Sequence, residues 1–148
     1  MSLEAFKALT AEESEQLLLA PATVTLLVAG VDEKIDRKEE AWASKLVNYR
    51  TVTAEAELQP YYEAVATRFD ADLDKLTQDW TPGDTESLIS KLEALTPIVE
   101  KLDDKLAKIL KQSWRTLAEQ VAKASGGLIG FGSISDEERA VINLSMLN

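Results

Sequence analysis

The chain of 148 residues contains no cysteine and no histidine. Without cysteine there are neither disulfides nor thiolate metal sites, and without histidine the commonest zinc and copper ligand is gone. Any bound metal is therefore a hard, oxygen-seeking ion. The same two absences remove Ser-His-Asp and Cys-His nucleophilic chemistry, leaving carboxylate, lysine or tyrosine schemes for acid/base work. No pair of acids stands in a recognisable catalytic spacing. The sequence points to binding, and not to an enzyme or an organic cofactor.

Glycine and proline are scarce, at 6 and 4 residues. The one glycine-rich run, from Gly126-Gly127 to Gly132, is not a phosphate loop: no strand pattern precedes it, no Gly-Lys-Ser/Thr follows, and its glycines do not match a dinucleotide fingerprint. It reads as a helix C-cap followed by a loop pinned by Leu128, Ile129 and Phe131. Long apolar runs are missing as well. The most apolar stretch, Leu17 to Val31, is interrupted by Pro21, Thr23 and Thr25 and is shorter than the roughly 20 residues that span a bilayer. It is expected to be a core helix, with no membrane insertion. Met1 to Phe6 show neither the basic start nor the apolar segment of a signal peptide, so the expected location is cytoplasmic.

Negative charge is what the chain has in excess. Its net charge is −10, with sixteen acidic against eight basic residues in 1–80 and ten against eight in 81–148. Such a field repels phosphate backbones and anionic headgroups, so no nucleic acid is expected as a partner, whereas cations and basic protein surfaces fit. Hydrophobic residues at 45% and charged residues at 28% suit one globular domain over residues 1–148.

Helix signals fill that domain. Thr10 with Glu13 forms a capping box, in which each side chain satisfies a free amide of the first turn, so a helix begins at Ala11. Pro21 is expected to kink or restart it, leaving Ala22 to Val28 as a core helix that ends near Gly30. Asp36 with Glu39 opens a second helix through about Tyr49, with Ala43, Leu46 and Val47 facing the core and Trp42 flanking them. Pro60 opens a third, carrying Tyr62, Val65, Phe69, Leu73 and Leu76 at helical steps and ending by Trp80. After a turn at 81–84, Leu88, Leu92 and Leu95 mark a helix from Thr85. Pro97 restarts a longer one to about Ala124, with Leu102, Leu106, Ile109, Leu117 and Val121 as its apolar stripe and Lys101, Lys105, Lys108 and Arg115 on a solvated face. Ser135 with Glu138 starts the last helix, whose Ala140, Val141, Leu144 and Leu147 close the core. The expected fold is an all-α bundle of six to eight helices.

Two of these helix starts resemble each other: Val31-Asp32-Glu33-Lys34-Ile35-Asp36-Arg37-Lys38-Glu39 and Phe131-Gly132-Ser133-Ile134-Ser135-Asp136-Glu137-Glu138. Glu39 and Glu138 each stand three residues after a cap, where a glutamate returns a hydrogen bond to the cap's N–H. Asp32 precedes the cap by four residues and has no such structural task, which makes it the best single ligand candidate. Calcium and magnesium take six to eight oxygens, more than one of these loops supplies, so a cation site needs both to converge. The first stretch lacks the alternate-position ligands and the glycine of an EF-hand.

These residues are similar to a motif of the TerB-like family of bacterial tellurite-resistance and stress proteins, whose first helix pair is joined by an Ala-Asp-Gly-x-Ile-x-x-x-Glu pattern. Asp32, Ile35 and Glu39 match it, with Val31 in place of the Ala and Glu33 in place of the Gly. In the second stretch Gly132, Ile134 and Glu138 match, and Phe131 stands where the Asp would be. The resemblance implies an all-helical cytoplasmic domain with an acidic, metal-binding surface that works beside other stress-response proteins.

The expectation is thus a non-enzymatic, TerB-like helical domain that binds a divalent cation (Ca, Mg or Mn) through Asp32, Asp36, Glu39 and Glu138. The competing expectation is a metal-free module that holds a protein partner or forms a homo-oligomer.

Overall fold

Thr10 N–H donates to Glu13 Oε1 at 2.9 Å while Glu13 N–H donates to Thr10 Oγ1 at 3.1 Å, and the first helix starts at Ala11 as this reciprocal cap predicts. The chain is seen in a computed structural model that describes residues 6–29, 37–81, 84–124, 144 and 147. Its helices are α1 Ala11–Ala29, α2 Arg37–Thr53, α3 Gln59–Ala66, α4 Phe69–Asp79, α5 Thr85–Glu93, α6 Thr96–Val99 and α7 Asp104–Ala124, with a 3-10 turn at Ala56–Leu58 ahead of α3. No strand occurs among the described residues. The fold is all-α, and the seven helices among the described residues fall within the expected six to eight.

Three expected boundaries are corrected. The first is at Pro21, where α1 runs on as one helix of 19 residues and neither stops nor restarts. A proline inside a helix lacks the N–H that would serve the carbonyl four residues back and costs about 3 kcal/mol. Here that carbonyl belongs to Leu17, and the hydroxyl of Tyr61 on α3 donates to it at 2.6 Å. Trp114 Nε1 on α7 donates in turn to the Tyr61 oxygen at 3.2 Å. The gap left by the proline is filled from two other helices. Thr23 and Thr25 return their hydroxyls to the carbonyls of Leu19 and Pro21, at 3.1 and 2.8 Å, so they too are satisfied inside the apolar helix.

The second correction is the break between α3 and α4, where one helix from Pro60 to Trp80 was expected. Thr67 Oγ1 takes the carbonyl of Ala64 at 2.8 Å, and the backbone of Arg68 leaves the helical range with φ −131° and ψ −3°. The Arg68 guanidinium is held by two acids, Asp72 one turn on and Glu15 of α1. These pairs fix the corner from outside the segment, which the local periodicity does not register. The third correction lies after Pro97, where the restart gives only the short α6. Asp103 then begins α7, its carboxylate accepting from the N–H of Lys105 at 3.1 Å and of Leu106 at 3.4 Å.

α1 is the central helix, with eleven buried residues from Leu17 to Val28, and it packs against α3, α4, α5 and α7. Phe6, Tyr61 and Tyr62 form an aromatic group in the core, the first two stacked with centroids 6.0 Å apart and the last two edge-on at 5.1 Å. Leu106, Leu117 and Val121 of the expected α7 stripe are buried with Leu110 and Trp114, while Ile109 is only partly covered. Leu144 and Leu147 are also buried, although Leu144 has φ 51°, outside the right-handed helical range. No described helix is long and apolar enough to cross a membrane.

The proline gap makes a double-mutant test. Tyr61→Phe leaves the Leu17 carbonyl and the Trp114 N–H each without their partner, and should cost about 1–3 kcal/mol in urea unfolding. In a Pro21→Ala background the new N–H at position 21 serves Leu17, so the same Tyr61→Phe change should cost clearly less. Equal costs in both backgrounds would show that Tyr61 does not compensate the proline.

Candidate functional site

α2 has two unlike faces, and the boundary between them is set by a buried arginine. Its inner face presents Ala43, Val47 and Arg50 to α3 and α7, with Leu46 half-buried beside them. Arg50 is 7% exposed. Its guanidinium donates to the Leu46 carbonyl at 3.1 Å and to Gln120 Oε1 of α7 at 2.6 Å, and lies over the Tyr62 ring at 5.9 Å from the centroid. Tyr62 is itself held by a hydrogen bond between its hydroxyl and Ser113 of α7. Burial pushes Arg50 below its ordinary value, with Tyr62 opposing that shift. These partners are all neutral: a backbone carbonyl, an amide and an aromatic ring. They fix the rotation of α2 about its own axis, because the planar fork of a guanidinium meets them in one orientation.

That rotation determines what points outward. Trp42, Tyr49 and Val52 are 46%, 65% and 71% exposed, and they are the exposed large hydrophobic residues among those described. On a helical projection of about 100° per residue they share one stripe with Lys38 and Lys45, in the order Lys38, Trp42, Lys45, Tyr49, Val52. Both lysines are exposed, and among the described residues neither makes an ion pair. Glu39 and Glu40 fall away from this stripe and are half-buried. Over the fifteen positions from Lys38 to Val52 the stripe is about 21 Å long at 1.5 Å per residue.

The acids gather elsewhere. α1 carries Glu12, Glu13 and Glu15 with no base, and α4 carries four aspartates against Lys75, whereas α2 has four bases against two acids and α7 five against two. Lys101 pairs with Glu13 at 2.6 Å and Lys105 with Glu57 at 3.0 Å, so part of the basic stripe along this solvated face binds acids of the same chain. Hydrogen bonding to Lys101, then to the Thr10 backbone, holds the Glu13 carboxyl below its ordinary value, and Arg68 does the same for Glu15. Glu40 goes the other way. Burial raises its carboxyl first, then the charge of Asp74 and a hydrogen bond with it, then Asp70, with Arg37 opposing.

Of the four proposed cation ligands, Glu39 lies in the first turn of α2, half-buried, while Asp32, Asp36 and Glu138 lie outside the described residues. Arg37, the first described residue after the predicted Asp36 cap, is already helical in α2. Among the described residues no group of three or more acids is placed to hold a metal ion. Sequence reasoning missed the outward stripe, because it set Trp42 beside the core positions and ended α2 near Tyr49, short of Val52. Ala43 and Val47 face in as expected; the spacing of 42, 49 and 52 carries the outward stripe, and the Arg50 contacts hold that stripe away from the core.

Comparison with known proteins found no matching family model, no matching curated protein and no matching solved structure.

The Glu40 site gives a pH test. A carboxyl raised in the folded state contributes stability that is full below its unfolded pKa of about 4.3 and is lost as pH rises through the folded value. Glu40→Gln removes the repulsion from Asp74 and Asp70, so it should raise Tm at neutral pH and change it little near pH 4, where Glu40 is already protonated. A lower Tm for the variant at neutral pH would mean that the carboxylate is held by a cation.

Proposed function

We propose that this chain is a non-enzymatic protein-interaction module that docks a partner through the outward stripe of α2. The observation that carries this reading is the exposure of Trp42, Tyr49 and Val52 together on one helix face whose opposite face is fully engaged in the core. Single exposed apolar residues are ordinary on protein surfaces, but aromatic side chains aligned along a rigid helix are the usual anchors of an interface. The face stands on a helix locked by Arg50 and Gln120, so little ordering is needed when a partner arrives.

A photo-crosslinking amino acid at Tyr49, in the full chain within cells, should give one recurrent protein adduct that disappears on Trp42→Ala, while the same group at exposed Gln78 gives none. Trp42→Ala should change the unfolding free energy by less than about 1 kcal/mol, the scale of a surface change. Absence of any adduct specific to Tyr49 would sink the reading.

A second reading starts from Glu40, one residue after Glu39 in the first turn of α2, whose carboxyl stands beside Asp74 and Asp70 of α4. In it the chain is a cytoplasmic TerB-like domain of a tellurite or stress response, binding Ca, Mg or Mn through Asp32, Asp36, Glu39 and Glu138. A capping role accepts Gln at position 39, whereas a cation site loses a full charge. Calorimetric titration of chelator-treated protein should then show divalent-ion binding that Glu39→Gln weakens at unchanged stability. Equal binding by parent and variant would leave Glu39 as a cap alone.

A further inference from the structure

The stripe on α2 has a chemical signature beyond its exposure. Lys38 and Lys45 are interleaved with Trp42, Tyr49 and Val52, and no acid shares the stripe, although the chain as a whole carries a net charge of −10. A positive, apolar strip about four helical turns long on an otherwise negative molecule selects by sign as well as by hydrophobicity.

We infer that the partner of this face is an acidic amphipathic helix of another protein, laid along α2 with its apolar side on Trp42, Tyr49 and Val52 and its carboxylates on Lys38 and Lys45. This deepens the interaction-module reading and rests on it. Other occupants match the face less well. A second copy on a two-fold axis centred on the stripe would set Lys45 of one α2 against Lys45 of the other and give Lys38 no acid, and like charges across an interface are repulsive. A membrane or a nucleic acid is an extended polyanion that meets the field of the whole molecule, including the aspartates of α4 and the glutamates of α1. A single helix meets mainly what lies within a Debye length of about 10 Å. Helix-on-helix docking also suits the dimensions, since the apolar positions recur at the seven- and three-residue steps that a facing helix matches.

The test uses the full chain and three synthetic peptides of about 18 residues, long enough to cover the stripe. One carries a leucine stripe flanked by glutamates, one the same stripe flanked by glutamines, and one the glutamate composition scrambled. In calorimetry at about 50 mM salt the glutamate peptide should bind about tenfold tighter than the glutamine peptide, the gain expected from two surface charge pairs, and the difference should shrink as salt rises. The scrambled peptide should not bind. Lys38→Glu with Lys45→Glu should abolish the preference, and Trp42→Ala with Tyr49→Ala should weaken both amphipathic peptides at least tenfold, with circular dichroism unchanged in each variant.

Equal affinity for the glutamate and glutamine peptides, still dependent on Trp42, would overturn the acidic partner while leaving the interaction module standing. Binding that ignores Trp42 and Tyr49 would remove the face itself and both readings with it. Failure of every peptide overturns the inference, and the Tyr49 crosslink then judges the module on its own. Trp42-dependent binding to phosphatidylserine-containing vesicles instead of peptides, or a Trp42-dependent dimer in sedimentation, would equally overturn it.

Discussion

The fold depends on one missing hydrogen. Pro21 stands in the middle of the central helix and cannot donate to the carbonyl of Leu17, yet α1 is the element against which α3, α4, α5 and α7 all pack. A buried carbonyl without a donor is costly, so the helix persists only because Tyr61 reaches it and Trp114 supports Tyr61. Three helices distant in the chain meet at that point. Of the largest buried side chains, Trp114, Tyr61 and Tyr62 lie in the elements this contact draws together, and Phe69 opens α4 directly after α3. What begins as a local defect in α1 becomes the reason α3 and α7 have one register against it.

The same helices carry the second polar anchor, and the two differ in kind. At Pro21 the core needs a donor, and a tyrosine supplies it. At Arg50 the core receives a surplus of donors, and Gln120, the Leu46 carbonyl and the Tyr62 ring absorb them. Residues 61 and 62 are neighbours and serve one anchor each, so α3 ties α1 to α2 through adjacent side chains. The outward stripe of α2 is a consequence of this arrangement, since any rotation that buried Trp42 would pull the guanidinium away from its partners.

What was legible in the sequence follows from how far each signal travels along the chain. Thr10 with Glu13 is a local feature and stands where the spacing places it. The continuation through Pro21 was not legible, because its compensation comes from a residue 44 positions away. The corner at Arg68 depends on Glu15, 53 positions back, and periodicity alone joins α3 to α4. The candidate cation residues stand at two acidic helix starts far apart in the chain, and of these only Glu39 falls within the described residues. The inner face of α2 was legible in the spacing of Ala43 and Val47, whereas the outward place of Trp42 depends on the Arg50 contacts with α7 and Tyr62.

The chain of hydrogen bonds at Pro21 has a further property. An indole N–H can only donate and a carbonyl can only accept, so with Trp114 at one end and Leu17 at the other the Tyr61 hydroxyl has a single orientation. Complete burial also pushes Tyr61 well above the ordinary phenol range, so it keeps its proton. A relay must be able to reverse its hydrogen bonds after each passage, and this one cannot. The Tyr61 hydroxyl is therefore a fixed structural donor and no proton relay, and the described carboxyls whose surroundings shift them, Glu13, Glu15 and Glu40, stand on α1 and α2 away from it.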